Sequence, residues 1–218
     1  MKGVLLATCP HARMVDISHA VPPWDVVAGG FVLYAGASTF PAGSLHLAVV
    51  DPGVGSPRRA LAFEAGGCLF VGPDNGLFWL VLRRHGPPKV VVDLERPAGA
   101  APTFEGRDVF APAAARLAAG EPLTSLGRPS SPPAPAEVAA QVIWIDRFGN
   151  LVTSLEPPVR SLMIDDRPIR GPFRTYSEAV SGEPFWYVGS MGFIEVGVRQ
   201  GRADHFLAAR VGTPAVAS

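Results

Sequence analysis

Apolar runs of strand length alternate with helix-length apolar stripes through the first 120 or so positions, counting roughly along the chain. Beyond them only short strand-like runs recur. Residues 44–50 (SLHLAVV) form an apolar run with β-branched residues at its end, the pattern of a buried central strand. Residues 59–64 and 68–71 read as two more strands. Gly66-Gly67 between them predicts a tight hairpin. Residues 13–17 read as a brief strand and 89–94 as another. Helices are expected from the Pro22-Pro23-Trp24-Asp25 start through Ala35, over 77–83, and over 109–119 with Asp108 as its cap. The Gly29-Gly30 pair is costly inside a helix, so it predicts close packing against a neighbour.

Strands and helices in this order make an α/β fold, an N-terminal α/β sandwich-type domain over 1–128. The segment 121–137 is rich in Pro and Ser and reads as a crossover, with a Pro-rich linker at 129–138. The short strands at 141–145, 151–155, 161–164, 185–188 and 193–198, with a helical turn near 202–208, predict a small C-terminal β-barrel domain over 139–218.

Polar residues concentrate where these elements end. The strand at 44–50 breaks into Asp51-Pro52-Gly53-Val54-Gly55, with Arg58 close behind. Ligands of open α/β sheets bind beyond the carboxyl ends of strands, so this turn is a candidate site as well as an ordinary turn. Glu105, Arg107 and Asp108 cluster at a helix start, where capping and a local ion pair also account for them. Asp16 and His19 stand at a strand end, either as metal ligands or as loop braces. Trp24 is read as core or as a platform beside a ligand. A metal-dependent hydrolase reading takes Asp16, His19, Asp51, Asp74 and Asp108 as ligands.

Composition narrows the class. With 48% hydrophobic and 17% charged residues among 218, the chain can bury a core and is not disordered. A formal charge of +0 without a basic cluster argues against nucleic acid as partner. No apolar run is long enough to span a membrane, and no signal-peptide pattern opens the chain. The two cysteines, Cys9 and Cys68, lie in apolar surroundings away from any Cys/His cluster. They read as buried free thiols of a cytoplasmic protein.

Three motifs then coincide: DPGVGSPRR at 51–59, GPDNGLF at 72–78 and IDRFGNLVTS at 145–154. With MKGV, VDISH, VPPWDV, TFEGRDVFAPAAA and GSMGFIEV in the same order along nearly the whole chain, they closely resemble the S-adenosylmethionine hydrolase family. This is the hydroxide adenosyltransferase group, related to the fluorinases and chlorinases. The resemblance implies cleavage of S-adenosylmethionine to adenosine and methionine by water or hydroxide attacking ribose C5′, without metal or redox cofactor. It implies an α/β domain followed by a small barrel. It also implies homotrimers with ligand held at subunit interfaces. By the same resemblance Asp51 and Arg58 belong to a water-activating triad and Trp24 lies beside the substrate. Asp146 receives the methionine ammonium, Phe148 and Asn150 meet adenine and ribose, and Ser190 lies near the methionine end.

The chemistry suits those residue types. A sulfonium is already a good leaving group, so the site needs an oriented oxygen nucleophile and no acid at sulfur. A carboxylate at Asp51 would repel a halide, which favours water over chloride or fluoride.

The chain departs from the family at two places. Glu105 stands where the family triad has histidine, FEGRD against FHGRD. Two carboxylates around one water should raise one pKa or require Arg58 between them. Weaker or differently pH-dependent hydrolysis is expected, with a non-catalytic adenosyl-ligand binder as the alternative. The family's opening strand, ending in a TDFG-like turn whose Asp holds the ribose diol, has no counterpart before Met1-Lys2-Gly3. That predicts either a start assigned too far downstream or a pocket short of its diol anchor.

Overall fold

The computed structural model describes residues 1–218, which divide into two compact units, Met1–Ala136 and Glu137–Ser218. In the first unit, β1 (Leu45–Leu47), β2 (Ala60–Ala65), β3 (Cys68–Pro73), β4 (Val91–Leu94) and β5 (Gly127–Pro129) form one sheet in the order β1-β3-β2-β4-β5. β1 runs parallel to β3, and every other pair is antiparallel. Strand alternation sends side chains to two different cores. Ala60, Ala62, Val71 and Val92 pack with Val109, Ala114 and Leu117, the last two from helix α4 (Ala111–Ala118), and with Leu5 of α1 (Lys2–Thr8). Leu61, Phe63, Phe70 and Val91 pack with Leu33 of α2 (Val26–Ala37) and Val81 of α3 (Trp79–His85). Helices on both faces explain why β2 is apolar at nearly every position.

The predicted hairpin is present: Ala65 pairs with Cys68, and Gly66 and Gly67 take φ of 58° and 76°, the left-handed region a two-residue turn requires. The Gly29-Gly30 pair packs as expected. A Cβ on Gly30 would lie 2.4 Å from Trp79 Nε1, and one on Gly29 2.9 Å from both Leu77 and Val50.

Several expectations are corrected. The strand at 44–50 is the edge of the sheet and not its centre, because β3 flanks it on one side only. Residues 13–17 form no strand, and Val15 and Ile17 there are exposed. The helix expected from 109 starts earlier, as a π-turn at Gly106–Phe110 that runs into α4. Asp108 therefore lies within the helical run; its carboxylate accepts from the Ala101 amide at 2.9 Å and pairs with Arg107. Part of the Pro/Ser-rich crossover is ordered sheet: β5 pairs with β4, and an edge position tolerates Pro129. Cys68 is buried, but Cys9 is only half-buried; both are free.

The second unit holds two antiparallel sheets over one core. β6 (Val142–Ile145), β7 (Leu151–Thr153), β10 (Pro184–Val188) and β11 (Ile194–Val198) run in the order β10-β11-β7-β6. β8 (Leu162–Ile164), β9 (Arg167–Ile169) and β12 (Ala215–Ala217) run in the order β12-β8-β9. Val142, Leu151, Ile164, Trp186, Val196 and Ala215 meet in the core, with Leu207 of α5 (Ala203–Leu207). The expected barrel is absent: no sheet closes on itself. A closed barrel needs a continuous ladder around the circumference. Here only isolated bridges, Gln141 to Pro214 and Arg170 to Phe185, link the sheets. No helix in either unit is long and apolar enough to cross a membrane.

Candidate active site on the Asp51 turn

Beyond β1 the Ala48 amide still donates to the Val71 carbonyl at 3.0 Å, and the Val50 carbonyl accepts from Asn75 Nδ2 at 2.9 Å. The GPDNG turn thus braces the end of the strand from the side. At Asp51 the chain bends. Gly55 takes φ of 81°, and a Cβ there would lie 2.9 Å from the Pro102 carbonyl. The bend brings Arg58 back over Asp51. Arg58 Nε donates to Asp51 Oδ1 at 2.7 Å, and Nη2 donates to the other oxygen, a two-pronged pair. The same Nη2 donates to Glu105 Oε2 at 2.6 Å. Arg58 therefore sits between the two carboxylates, its carbon 5.4 Å from the centre of the Phe110 ring. The side chains of Asp51, Arg58 and Glu105 are 6%, 7% and 5% exposed, so these charges meet largely out of water.

Burial opposes ionisation of Glu105, but hydrogen bonds from Arg96 and Arg58 outweigh it and hold the carboxyl below its usual range. Burial also disfavours the Arg58 charge, and the bonds to Asp51 and Glu105 reverse that, raising its pKa. Glu105 is therefore ionised at neutral pH and is a weak base. Its value lies in fixing Arg58.

Trp24 is 78% exposed and takes φ of 66°, which an L residue rarely adopts. It lines a cavity of about 380 Å³ with Val50, Asp51 and Leu77. A second cavity, of about 630 Å³, is lined by Asp51, Phe104 and Glu105. Asp51 belongs to both, and each volume is of ligand size.

In the second unit Asp146 ends β6. Its Oδ1 accepts from the amides of Phe148 and Asn150 at 2.8 and 2.9 Å, and its Oδ2 from Asn150 Nδ2 at 2.8 Å. Asn150 is buried, whereas Phe148 is 67% exposed beneath the Arg147 guanidinium. Ser190 is exposed on the β10–β11 turn. The turn presents a carboxylate and an open aromatic face side by side.

The residues of the metal reading do not converge. Asp51, Asp74 and Asp108 each pair with an arginine, and Asp16 bonds Lys2 and His19. No group of three or more His, Cys, Asp or Glu side chains is arranged to hold a metal ion.

Sequence reasoning missed three features. Arg96 bonds Glu105 and the Arg58 carbonyl; the signal available was only that a buried glutamate needs counter-charge. Arg59 holds Asp74 and the backbone of Ser131 and Pro132, tying the proline-rich stretch to the site turn. Tyr176, Tyr187 and Glu195 form a hydrogen-bonded row at 3.0 and 2.8 Å in the second unit. Periodicity shows only that Tyr187 and Glu195 lie on strands.

Comparison with known proteins agrees across both units. Residues 1–127 match the SAM hydroxide adenosyltransferase N-terminal domain, and residues 140–216 match the C-terminal domain of the same family. The chain belongs to the S-adenosylmethionine hydroxide adenosyltransferase family. It is 41% identical to an (R)-S-adenosyl-L-methionine hydrolase of Salinispora arenicola, over 96% of this chain and 88% of that protein. It is 40% identical to one of Thermus thermophilus, over 98% and 91%. A crystal structure of an uncharacterized conserved protein from Thermotoga maritima superposes with a TM-score of 0.89 at 27% identity, covering 100% of this chain and 93% of that one.

Proposed function

We infer that this chain is an enzyme that hydrolyses S-adenosyl-L-methionine to adenosine and L-methionine, acting on the substrate without a cofactor. The (R) sulfonium form named for its relatives is the form we assign here. The observation that carries the reading is the buried Asp51–Arg58–Glu105 assembly, with Asp51 on the wall of two ligand-sized cavities.

In the reaction a water oxygen forms a bond to ribose C5′ as the C5′–S bond breaks. The electron pair goes to sulfur and cancels its charge, and one water proton is released. Asp51, fixed from one side by Arg58, accepts a hydrogen bond from that water and aims its lone pair at carbon. Arg58 and Arg96 hold Glu105 ionised, and Arg58 grips both oxygens of Asp51. The cluster therefore works by orientation and by placing negative oxygen near a water that becomes positive, more than by storing a proton. With Arg58 and Arg96 the carboxylates sum to no net charge, so a cationic substrate meets no repulsion.

Trp24 flanks the substrate, Asp146 receives its ammonium, Phe148 stacks on the purine, Asn150 faces the ribose and Ser190 the methionine end. We assign 1–128 and 139–218 as the two domains, joined by the 129–138 linker. The assembly we propose is a homotrimer with sites completed by a neighbouring subunit, and the free thiols suit a cytoplasmic setting.

The test is incubation of the purified protein with S-adenosyl-L-methionine, in chloride and fluoride buffers. Equimolar adenosine and methionine, without a halogenated nucleoside, are expected. Calorimetric binding with the substrate intact after hours would select the ligand-binder alternative and end the hydrolase reading. Light scattering in solution should return three times the 22.9 kDa chain.

A further inference from the structure

Arg96 stands just past β4, on an irregular stretch that no motif singles out. Its Nε donates to Glu105 Oε1 at 2.7 Å, and its Nη2 donates to the main-chain carbonyl of Arg58 at 2.8 Å. The other Glu105 oxygen takes Arg58 Nη2 at 2.6 Å. Four charges thus follow one another in alternating sign: Asp51, Arg58, Glu105, Arg96. Without the last, two nearly buried carboxylates would share one guanidinium, leaving an unpaired negative charge away from water. That arrangement is strongly unfavourable. Arg96 itself is 39% exposed, so it closes the network from the surface side.

We propose that Arg96 is a positioning residue for the hydrolysis: by gripping Glu105 and the Arg58 main chain together, it lets a carboxylate occupy position 105 and keeps Arg58 aligned on Asp51. This rests on the hydrolase reading. Arg96 acts through two other residues. Removing it leaves Glu105 with one donor and frees the Arg58 carbonyl, so the Arg58 guanidinium is shared differently between Asp51 and Glu105. The ionised form of Glu105 then loses a counter-charge, and its titration moves to higher pH. The other ionisable side chains lining the cavity of about 630 Å³ beside Glu105 are Asp51 on the turn, Lys2 at the Met1 end of α1, and His19; Arg58 faces Glu105 through its hydrogen bond. Lys2 and His19 both bond Asp16, and on the helical run of Glu105 itself Arg107 and Asp108 bond each other. Arg58 and Arg96 supply the hydrogen bonds that hold Glu105 ionised.

The experiment compares wild type, Arg96→Gln, Arg96→Lys, Glu105→His and Arg96→Gln/Glu105→His as full chains. Arg96→Gln is expected to lower kcat on the order of tenfold to a hundredfold, the scale of a sub-ångström misplacement. KM should stay within about twofold, and the acid limb of the kcat–pH profile should move to higher pH. Arg96→Lys keeps the charge and should recover part of the loss. It also serves where Arg96→Gln folds poorly. In the Glu105→His background a neutral imidazole needs no counter-charge, so Arg96→Gln should cost far less there. A lowered Tm with an unmoved pH profile would mean that Arg96 is merely structural and would overturn the proposal. So would an equal fold-loss in both backgrounds. A wild type that releases no adenosine overturns the hydrolase reading by itself. The grip is then judged by carbon-13 titration of the Glu105 carboxyl, where an upward move in Arg96→Gln supports it and an unmoved titration overturns it.

Discussion

Glu105 in the first unit and Glu195 in the second are glutamates withdrawn from solvent, and their acidities move in opposite directions. Burial penalises the charge of both. Around Glu105 two guanidiniums overcome that penalty, and the carboxyl titrates below its usual range. Around Glu195 the bonding partner is the neutral Tyr187 hydroxyl, and the Asp146 carboxylate adds repulsion. Burial therefore prevails, and the carboxyl titrates above its usual range. The same penalty raises Tyr187 far above an ordinary phenol. Withdrawal from water does not set the charge of a glutamate; the formal charge of what it is withdrawn among does. One glutamate is a permanent anion in a charge-balanced cluster. The other is held more readily in its protonated form, and the geometry gives it no part in the chemistry proposed here.

The contrast can be broken most forcefully at Asp51. Asp51→Asn keeps the shape but removes the charge that faces both Arg58 and the water. The rate of adenosine release should fall on the order of 10²–10³-fold, read in a chromatographic assay, with substrate binding retained in calorimetry. A rate within a few-fold of wild type would remove Asp51 from the chemistry.

Stability should separate the two glutamates next. Glu105→Gln leaves two arginines without their shared anion and should cost about 3 kcal/mol. Glu195→Gln keeps a hydrogen-bond acceptor for Tyr187 and should cost within about 1 kcal/mol. Urea unfolding of both variants decides this, and equal costs would erase the distinction.

The pH dependence should then differ in sign. The folded pKa of Glu105 is depressed, so its contribution is fully present above the unfolded value, 4.5 as a reference, and disappears as pH falls through the folded value. The folded pKa of Glu195 is raised, so its favourable contribution exists below the unfolded value and is lost as pH rises through the folded one. Between wild type and Glu105→Gln the Tm gap should narrow below about pH 4.5, the ordinary carboxyl range. Between wild type and Glu195→Gln any advantage of the variant should appear only above it.

The smallest structural effect is expected at Phe148, already 67% exposed. Phe148→Ala should change stability by no more than about 0.5 kcal/mol. KM should nevertheless rise several-fold, to the extent that the ring stacks on the purine.

Much of the first unit was legible from the chain alone. The Gly66-Gly67 hairpin, the tight packing of Gly29-Gly30 and the α/β alternation follow from local rules of φ, side-chain volume and period. The edge position of β1 was not legible, because an apolar run looks the same whether one neighbour or two lie beside it. Nor was the open form of the second unit: strands of 3 to 5 residues specify sheets, while the residues between them decide whether a ladder closes. At the site, Asp51 and Arg58 were legible as a pair because one turn carries both. Their junction with Glu105 came only through the family resemblance, which also implied Arg58 between the two carboxylates; the junction with Arg96 was not legible, since Arg96 comes from the stretch after β4.

What the sequence determined by itself, then, was the set of local shapes and the identity of the chemical groups, including family membership through motifs that keep their order. Tertiary structure alone decided which charges meet. A carboxylate becomes a fixed anion or a protonatable acid according to neighbours distant along the chain, because electrostatic energy depends on separation in space and on exclusion of water, neither of which a linear order of residues contains.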